Sequence, residues 1–110
     1  MEKTGEKEKG VPFNLEKEVE YAEGSVVSKT LLNRTAGTVT LFSFDAGQGL
    51  SEHTAPYDAM VTILDGEAKI TLGGKPQTVA AGQMLIMPAN VPHALAAEKP
   101  FKMLLGMIRG

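Results

Sequence analysis

The sequence predicts a single small all-β domain, a closed barrel or sandwich built from short strands. Three observations predict it. Apolar runs rich in β-branched residues recur from residue 25 to residue 108, with Gly, Pro, Asp and Asn turn signals roughly every 8 to 12 residues. Only one short segment carries helical spacing. The chain has 110 residues, 43% of them hydrophobic, which is enough for one buried core and leaves little room for a second domain.

Taken in order, residues 1–10 read MEKTGEKEKG, mixed Lys and Glu with no apolar core, and are expected to be a solvated, mobile charged tail. Residues 11–110 are expected to be the barrel. Val11-Pro12-Phe13 looks extended. Residues 15–21 (LEKEVEY) place Leu15, Val19 and Tyr21 on one side of a short helix. Residues 25–32 are β-branched and strand-like, and 34–37 turn the chain. Residues 38–44 (TVTLFSF) alternate, with Thr40, Phe42 and Phe44 on one face and Val39, Leu41 and Ser43 on the other. Residues 45–49 break the pattern. Residues 59–64 are apolar except Thr62, as expected of a strand covered on both faces.

Asp65-Gly66 is a hairpin signal. Residues 67–72 then alternate, with Ala68, Ile70 and Leu72 inward. Gly73-Gly74 turns, and residues 77–80 form a short strand that Pro76 assigns to a sheet edge. Ala81-Gly82 turns again, 84–87 (MLIM) is apolar and ends at Pro88, and 93–97 and 101–108 complete the strands.

Composition removes several functions. The net charge of -2 provides no basic face for a phosphate backbone, so nucleic-acid binding is not expected. The absence of cysteine removes disulfides, zinc–cysteine sites and thiol catalysis, and permits a reducing compartment. No run approaches the ~20 apolar residues of a membrane span. The first residues do not read as a secretion signal, so a cytoplasmic protein is expected.

The chemistry concentrates at two histidines, His53 and His93. His53 follows a glycine-rich turn and precedes a strand. His93 follows the stiff Pro88-Ala-Asn-Val-Pro92 loop and opens another. Their surroundings read Gly47-QGLSE-His53-Thr-Ala55-PYD-Ala59-MVTILD-Gly66 and Gly82-QMLIM-Pro88-Ala-Asn90-VP-His93-ALA-Ala97. These two stretches resemble the paired motifs of the cupin superfamily. The first motif is Gly, five residues, His-x-His, three or four residues, Glu, six residues, Gly. The second is Gly, five residues, Pro-x-Gly, two residues, His, three residues, Asn. Gly47, His53, Gly66, Gly82, Pro88 and His93 match, with the spacing kept. The resemblance covers residues 24–109. It implies a cupin-type β-barrel, a double-stranded β-helix of jelly-roll kind.

The departures carry information. Asn90 stands for a glycine, and Asn is the residue that best tolerates the positive φ such a position uses. In metal-binding cupins the two histidines and the glutamate of the first motif, with the histidine of the second, surround one divalent ion. Here His53 and His93 remain, Ala55 replaces the second histidine, and Ala59 (Met60 under the longer spacing) replaces the glutamate. Two imidazoles fall short of the three protein ligands of a catalytic zinc and of the two histidines plus carboxylate of non-haem iron. Asp58 is the nearest carboxylate. It lies one residue off the ligand position, which on a regular strand turns it to the opposite face, unless Pro56 kinks the chain back. Glu52 has the same parity relative to His53.

The alanines make the interior roomier and less polar. A ligand pocket bounded by His53, Ala55, Tyr57, Ala59 and His93 is one reading. Packing of that space by Met60, Met84, Met87, Met103 or Met107 is the other. The expected function is therefore binding of a small molecule inside the barrel, with His53 and His93 as polar anchors or as residual ligands of a weakly held divalent metal such as Zn, Ni, Mn or Fe. The alternative is a small enzyme. It is either metal-dependent, as the resemblance to cupin dioxygenases and decarboxylases implies, or metal-free and isomerase- or epimerase-like, with a histidine as base and Tyr57 as acid. A homodimer is expected, because a small barrel leaves strand edges that a second copy can cover.

Overall fold

The computed structural model describes residues 2–3 and 6–109. Ten strands and one short 3-10 turn make up the described chain: β1 (Glu2–Lys3), the 3-10 turn (Leu15–Lys17), β2 (Val26–Arg34), β3 (Gly37–Phe44), β4 (Gly49–His53), β5 (Asp58–Asp65), β6 (Glu67–Leu72), β7 (Lys75–Ala80), β8 (Met84–Met87), β9 (His93–Ala96) and β10 (Phe101–Ile108). They form two sheets, in the orders β1-β2-β3-β10-β5-β8 and β4-β9-β6-β7. Among the described residues no helix is long and apolar enough to cross a membrane.

The sheets face each other across a core that follows from the alternation of the sequence. Phe44, Val61, Ile63, Ala68, Ile70 and Phe101 are wholly shielded between them. The Phe44 and Phe101 rings stack with centroids 4.5 Å apart, and both are fully buried. Inward residues of β5, β6 and β10 alternate with outward ones, as the period-2 pattern dictates.

The two Asp-Gly and Gly-Gly signals have different outcomes. Gly73-Gly74 makes the expected tight hairpin, with Leu72 opposite Lys75. Asp65-Gly66 does not close a hairpin: β5 belongs to the six-stranded sheet and β6 to the four-stranded one, so Gly66 is a corner between sheets. Its φ of 72° and the closeness of the Pro100 carbonyl oxygen, 2.4 Å from where a Cβ would stand, leave room for glycine alone. Asn90 has φ 66°, as its place in the second motif led one to expect.

The N-terminal segment also differs from expectation. Residues 15–21 supply only one 3-10 turn, because their apolar side chains serve a sheet face rather than a helix stripe. Val19 is buried with Leu31 and Leu41 in a second, smaller core on the outer face of the large sheet, bordered by Leu15, Val39, Leu64 and Leu104. This is why β3 is apolar on both sides. Within residues 1–10, expected as a solvated tail, Glu2–Lys3 form β1, parallel to β2, and Glu6 and Lys7 make two ion pairs. Lys7 lies 2.9 Å from Glu18, and Glu6 lies 2.7 Å from Arg34.

Candidate functional site

At the end of the barrel away from the Phe44–Phe101 stack, the sheets enclose a cavity of about 110 Å³. It is lined by Leu50, His53, Ala55, Ala59, Met87, His93, Leu95, Met103, Leu105 and Met107. Ten side chains bound it, and only the two imidazoles among them are polar. The sequence assigned His53, Ala55, Ala59 and His93 to such a pocket, and the structure brings these four together.

His53 ends β4 and His93 begins β9, and the two are directly opposed in antiparallel register. Side chains at opposed positions share one face of a sheet, so both imidazoles turn inward together. His53 is exposed at the rim, whereas His93 is only 6% exposed. The rings meet edge to face, with centroids 4.3 Å apart and Nε2 atoms 3.0 Å apart.

Backbone carbonyls set the proton positions. A carbonyl only accepts, so the His53 Nδ1 that lies 2.7 Å from the Ser51 oxygen carries the hydrogen, and its Nε2 presents a lone pair. His93 has two choices of similar geometry. It donates from Nε2 to His53, or from Nδ1 to the Val91 oxygen at 3.2 Å. Exchanging tautomers trades one hydrogen bond for another: in one state the His93 N–H and the His53 lone pair are engaged with each other, and in the other the pair presents two acceptors.

A loop-to-loop bond frames the mouth. The Asn90 N–H donates to the Ala55 carbonyl at 2.8 Å, tying the loop before β9 to the loop before β5.

Two residues named from sequence lie elsewhere. Asp58 keeps the regular strand parity: it is exposed, and its Oδ1 accepts the Ala89 N–H at 2.8 Å instead of facing the cavity. Pro56 does not return it. Tyr57 is not among the lining residues, and the Arg109 guanidinium stands 5.9 Å from its ring centre. Leu50, Leu95 and Leu105 complete the wall and were not singled out. Leu95 and Leu105 were readable by parity from His93 and Met103, but Leu50 lies on β4, whose polar composition hides the strand. Of the methionines considered as filling, Met87, Met103 and Met107 line the cavity without closing it. Met60 faces the outer side, beside Gly106.

The donors around the cavity do not fit a divalent ion held by three imidazoles and a carboxylate. Among the described residues no group of three or more His, Cys, Asp or Glu side chains converges. Nor does a carboxylate orient either imidazole, since both Nδ1 atoms face main-chain oxygens.

The profile of the cupin domain family matches residues 40–107, the stretch holding both histidines and the cavity strands. The chain belongs to this family. It is similar in structure to a Streptococcus pyogenes protein of unknown function, with 40% identity, a TM-score of 0.91, and 96% of this chain and 93% of that one covered. A cupin superfamily protein from Desulfitobacterium hafniense matches at 31% identity and TM-score 0.88, over 94% of each chain. A cupin 2 conserved barrel domain protein from Leptotrichia buccalis matches at 48% identity and TM-score 0.86, over 88% of this chain and 47% of that one, so this chain spans about half of it. Among curated proteins none matches.

Proposed function

We propose that this cupin barrel binds a small apolar molecule carrying one hydroxyl group, held between His53 and His93. The observation that carries the reading is the pairing of an otherwise apolar cavity with two Nε2 atoms 3.0 Å apart. A hydroxyl both donates and accepts, so by inserting between the rings it replaces the single His93–His53 bond with two, one to the His53 lone pair and one from the His93 N–H. The volume of about 110 Å³ limits the guest to at most a single aromatic ring, since an apolar cavity of ~150 Å³ accepts benzene, and the exposed rim at His53 leaves its polar end room. An enzymatic reading finds less support. Tyr57 stands outside the cavity wall, and no carboxylate lines it.

Calorimetric titration with phenol and with benzene tests the reading. Phenol is expected to bind about fivefold more tightly, the worth of one net hydrogen bond of ~1 kcal/mol. His53→Leu is expected to erase that difference, and Ala59→Leu to weaken both ligands by filling the cavity. Equal affinity for the two ligands, or binding unaffected by Ala59→Leu, would refute it.

We further propose that a second copy of the chain covers the outer face of the large sheet. Leu32, Val39, Met60, Gly106 and Ile108 line a shallow groove of about 290 Å³ there, continuous in register with Ile86 of the edge strand β8. Met84 and Ile86 are 56% and 59% exposed. The strand MLIM carries neither a charge nor a proline, the usual protections of an edge. One such edge paired with itself about a two-fold axis covers both copies in a single contact.

A further inference from the structure

We propose that a groove between the N-terminal segment and the outer face of the large sheet binds a free single-chain carboxylate, a fatty acid of about ten carbons. The site is separate from the histidine cavity and does not depend on what that cavity holds.

The groove exists because of how the N-terminal segment is fastened. The Lys7 N–H donates to the Leu31 carbonyl at 3.2 Å, which sets the segment beside β2. The chain then turns at Gly10, where φ is 81°, and returns to bury Val19 in the smaller core. Between this segment and β2–β3 lies a groove of about 380 Å³. Leu31 and Val39 form its floor, and Val11, Phe13 and Leu32 its sides. Neighbouring residues of a regular strand face opposite sides of the sheet. The register of β2 against β3 shifts between Thr30 and Leu32, and with that bulge both Leu31 and Leu32 line the groove.

The surface left open is apolar. Leu31 and Val39 also belong to the smaller core, so the groove is the place where that core meets water. Val11, Phe13 and Leu32 are 50%, 37% and 37% exposed. Apolar surface gathered in one concave place marks a binding site rather than ordinary surface scatter.

The charge at the groove is positive. Lys7 and Lys9 border it, against Glu8 alone. Lys7 lies 2.9 Å from Glu18 Oε1, but Lys29 claims the same oxygen at 2.8 Å, so two cations share one carboxylate. The Lys7 ammonium also stands 4.5 Å from the centre of the Phe13 ring, which holds it at the apolar wall. Lys9 ion-pairs with no described carboxylate, and the nearby Glu6 is taken by Arg34. A positive surplus in a chain of net charge -2 is a local feature with a local use. A carboxylate beside Lys9 and Lys7, with its tail along Val11, Phe13 and Leu32, matches both halves of the groove.

Size and position select among amphiphiles. The groove has more than twice the ~150 Å³ that accepts benzene, which suits one unbranched chain rather than the paired tails of a phospholipid. It lies at the β2 side of the large sheet, with β3, β10 and β5 between β2 and the β8 edge proposed to pair two copies. Leu32 and Val39 are its border with the face that the second copy covers.

Calorimetric titration of the full chain with decanoate, octanoate, 1-decanol and decylammonium tests the proposal. One decanoate per chain is expected. Octanoate, two methylenes shorter, is expected to bind about fivefold more weakly. Decanol is expected to be about fivefold weaker, and decylammonium weaker still. Lys9→Gln is expected to weaken decanoate about threefold and to leave decanol unchanged. Val11→Glu alters an exposed side chain, and is expected to weaken decanoate tenfold or more while phenol binding and the mass of the assembly stay as in the parent. Decanol or decylammonium binding as tightly as decanoate, affinity independent of chain length, indifference to Val11→Glu, or no decanoate bound would each overturn the proposal. A change of mass in Val11→Glu would assign the groove to a second copy. Sedimentation with phosphatidylglycerol vesicles that Val11→Glu abolishes would assign it to a lipid surface. Either result overturns the proposal as well. Phenol reads the histidine cavity separately, so either proposal can fail alone.

Discussion

His53 and His93 are matched in their supports: each ring sets its Nδ1 against the carbonyl of the residue two positions earlier, Ser51 and Val91, and the two Nε2 atoms face each other at 3.0 Å. The shorter of the two supports, 2.7 Å at Ser51, fixes His53 as the Nδ1–H tautomer. Long-range ¹⁵N–¹H correlation of the imidazoles is expected to show a protonated Nδ1 and a bare Nε2 at His53. An Nε2–H tautomer there would contradict the assignment of the lone pair on which the hydroxyl-ligand proposal stands.

Gly66 is expected to be intolerant of any side chain. It combines φ 72° with the Pro100 oxygen 2.4 Å from the Cβ position, at the corner where the chain passes between sheets. Gly66→Ala is expected to lower unfolding free energy by about 2–4 kcal/mol, from left-handed strain plus a main-chain clash. A loss below about 1 kcal/mol in denaturant titration would show that the corner relaxes.

Glu18 supplies an acid-sensitive tie between the N-terminal segment and the barrel. Hydrogen bonds from Lys29 and then Lys7, at 2.8 and 2.9 Å, hold its carboxyl below the ordinary value of 4.5. A depressed folded-state value means that the contribution is complete above the unfolded value and fades as pH falls through the folded one. The melting temperature of the parent is therefore expected to exceed that of Glu18→Gln near pH 7, with the gap closing in acid. A gap that does not narrow at all as the pH falls below 4.5 would show that the ion pair is not its source.

Much of this was legible in the sequence, and the parts that were not share a physical cause. The spacings of His53 and His93 from glycine and proline turns resemble the paired cupin motifs, and that resemblance implied their partnership before any geometry. Set against the same motifs, Ala55 and Ala59 implied lost bulk. Asp65-Gly66 encoded a turn, but turn chemistry does not say which sheet the next strand joins. β4 was hidden because Gly49, Ser51 and Glu52 face solvent, leaving Leu50 as its lone large apolar residue. Val19 spaced with Leu15 looked helical, yet its partners Leu31 and Leu41 lie on a sheet, a contact that no local period reveals.

The outer face makes a prediction about assembly. Light scattering after size exclusion is expected to give the mass of two chains for the parent. Ile86→Glu places a charge on the β8 edge beside Met84 and is expected to give one chain, with phenol binding retained. A monomeric parent at micromolar concentration would remove the proposed pairing.

The central claim is that the cavity beside the two histidines receives a ligand. Methyl resonances of the methionines report it most directly, because Met87, Met103 and Met107 line the cavity while Met60 and Met84 face the outer side. Addition of phenol to the metal-free chain is expected to shift the first three methyl signals together, along with the His53 and His93 rings, and to leave Met60 and Met84 in place. Shifts confined to Met60 and Met84, or none at saturating phenol, would contradict the account.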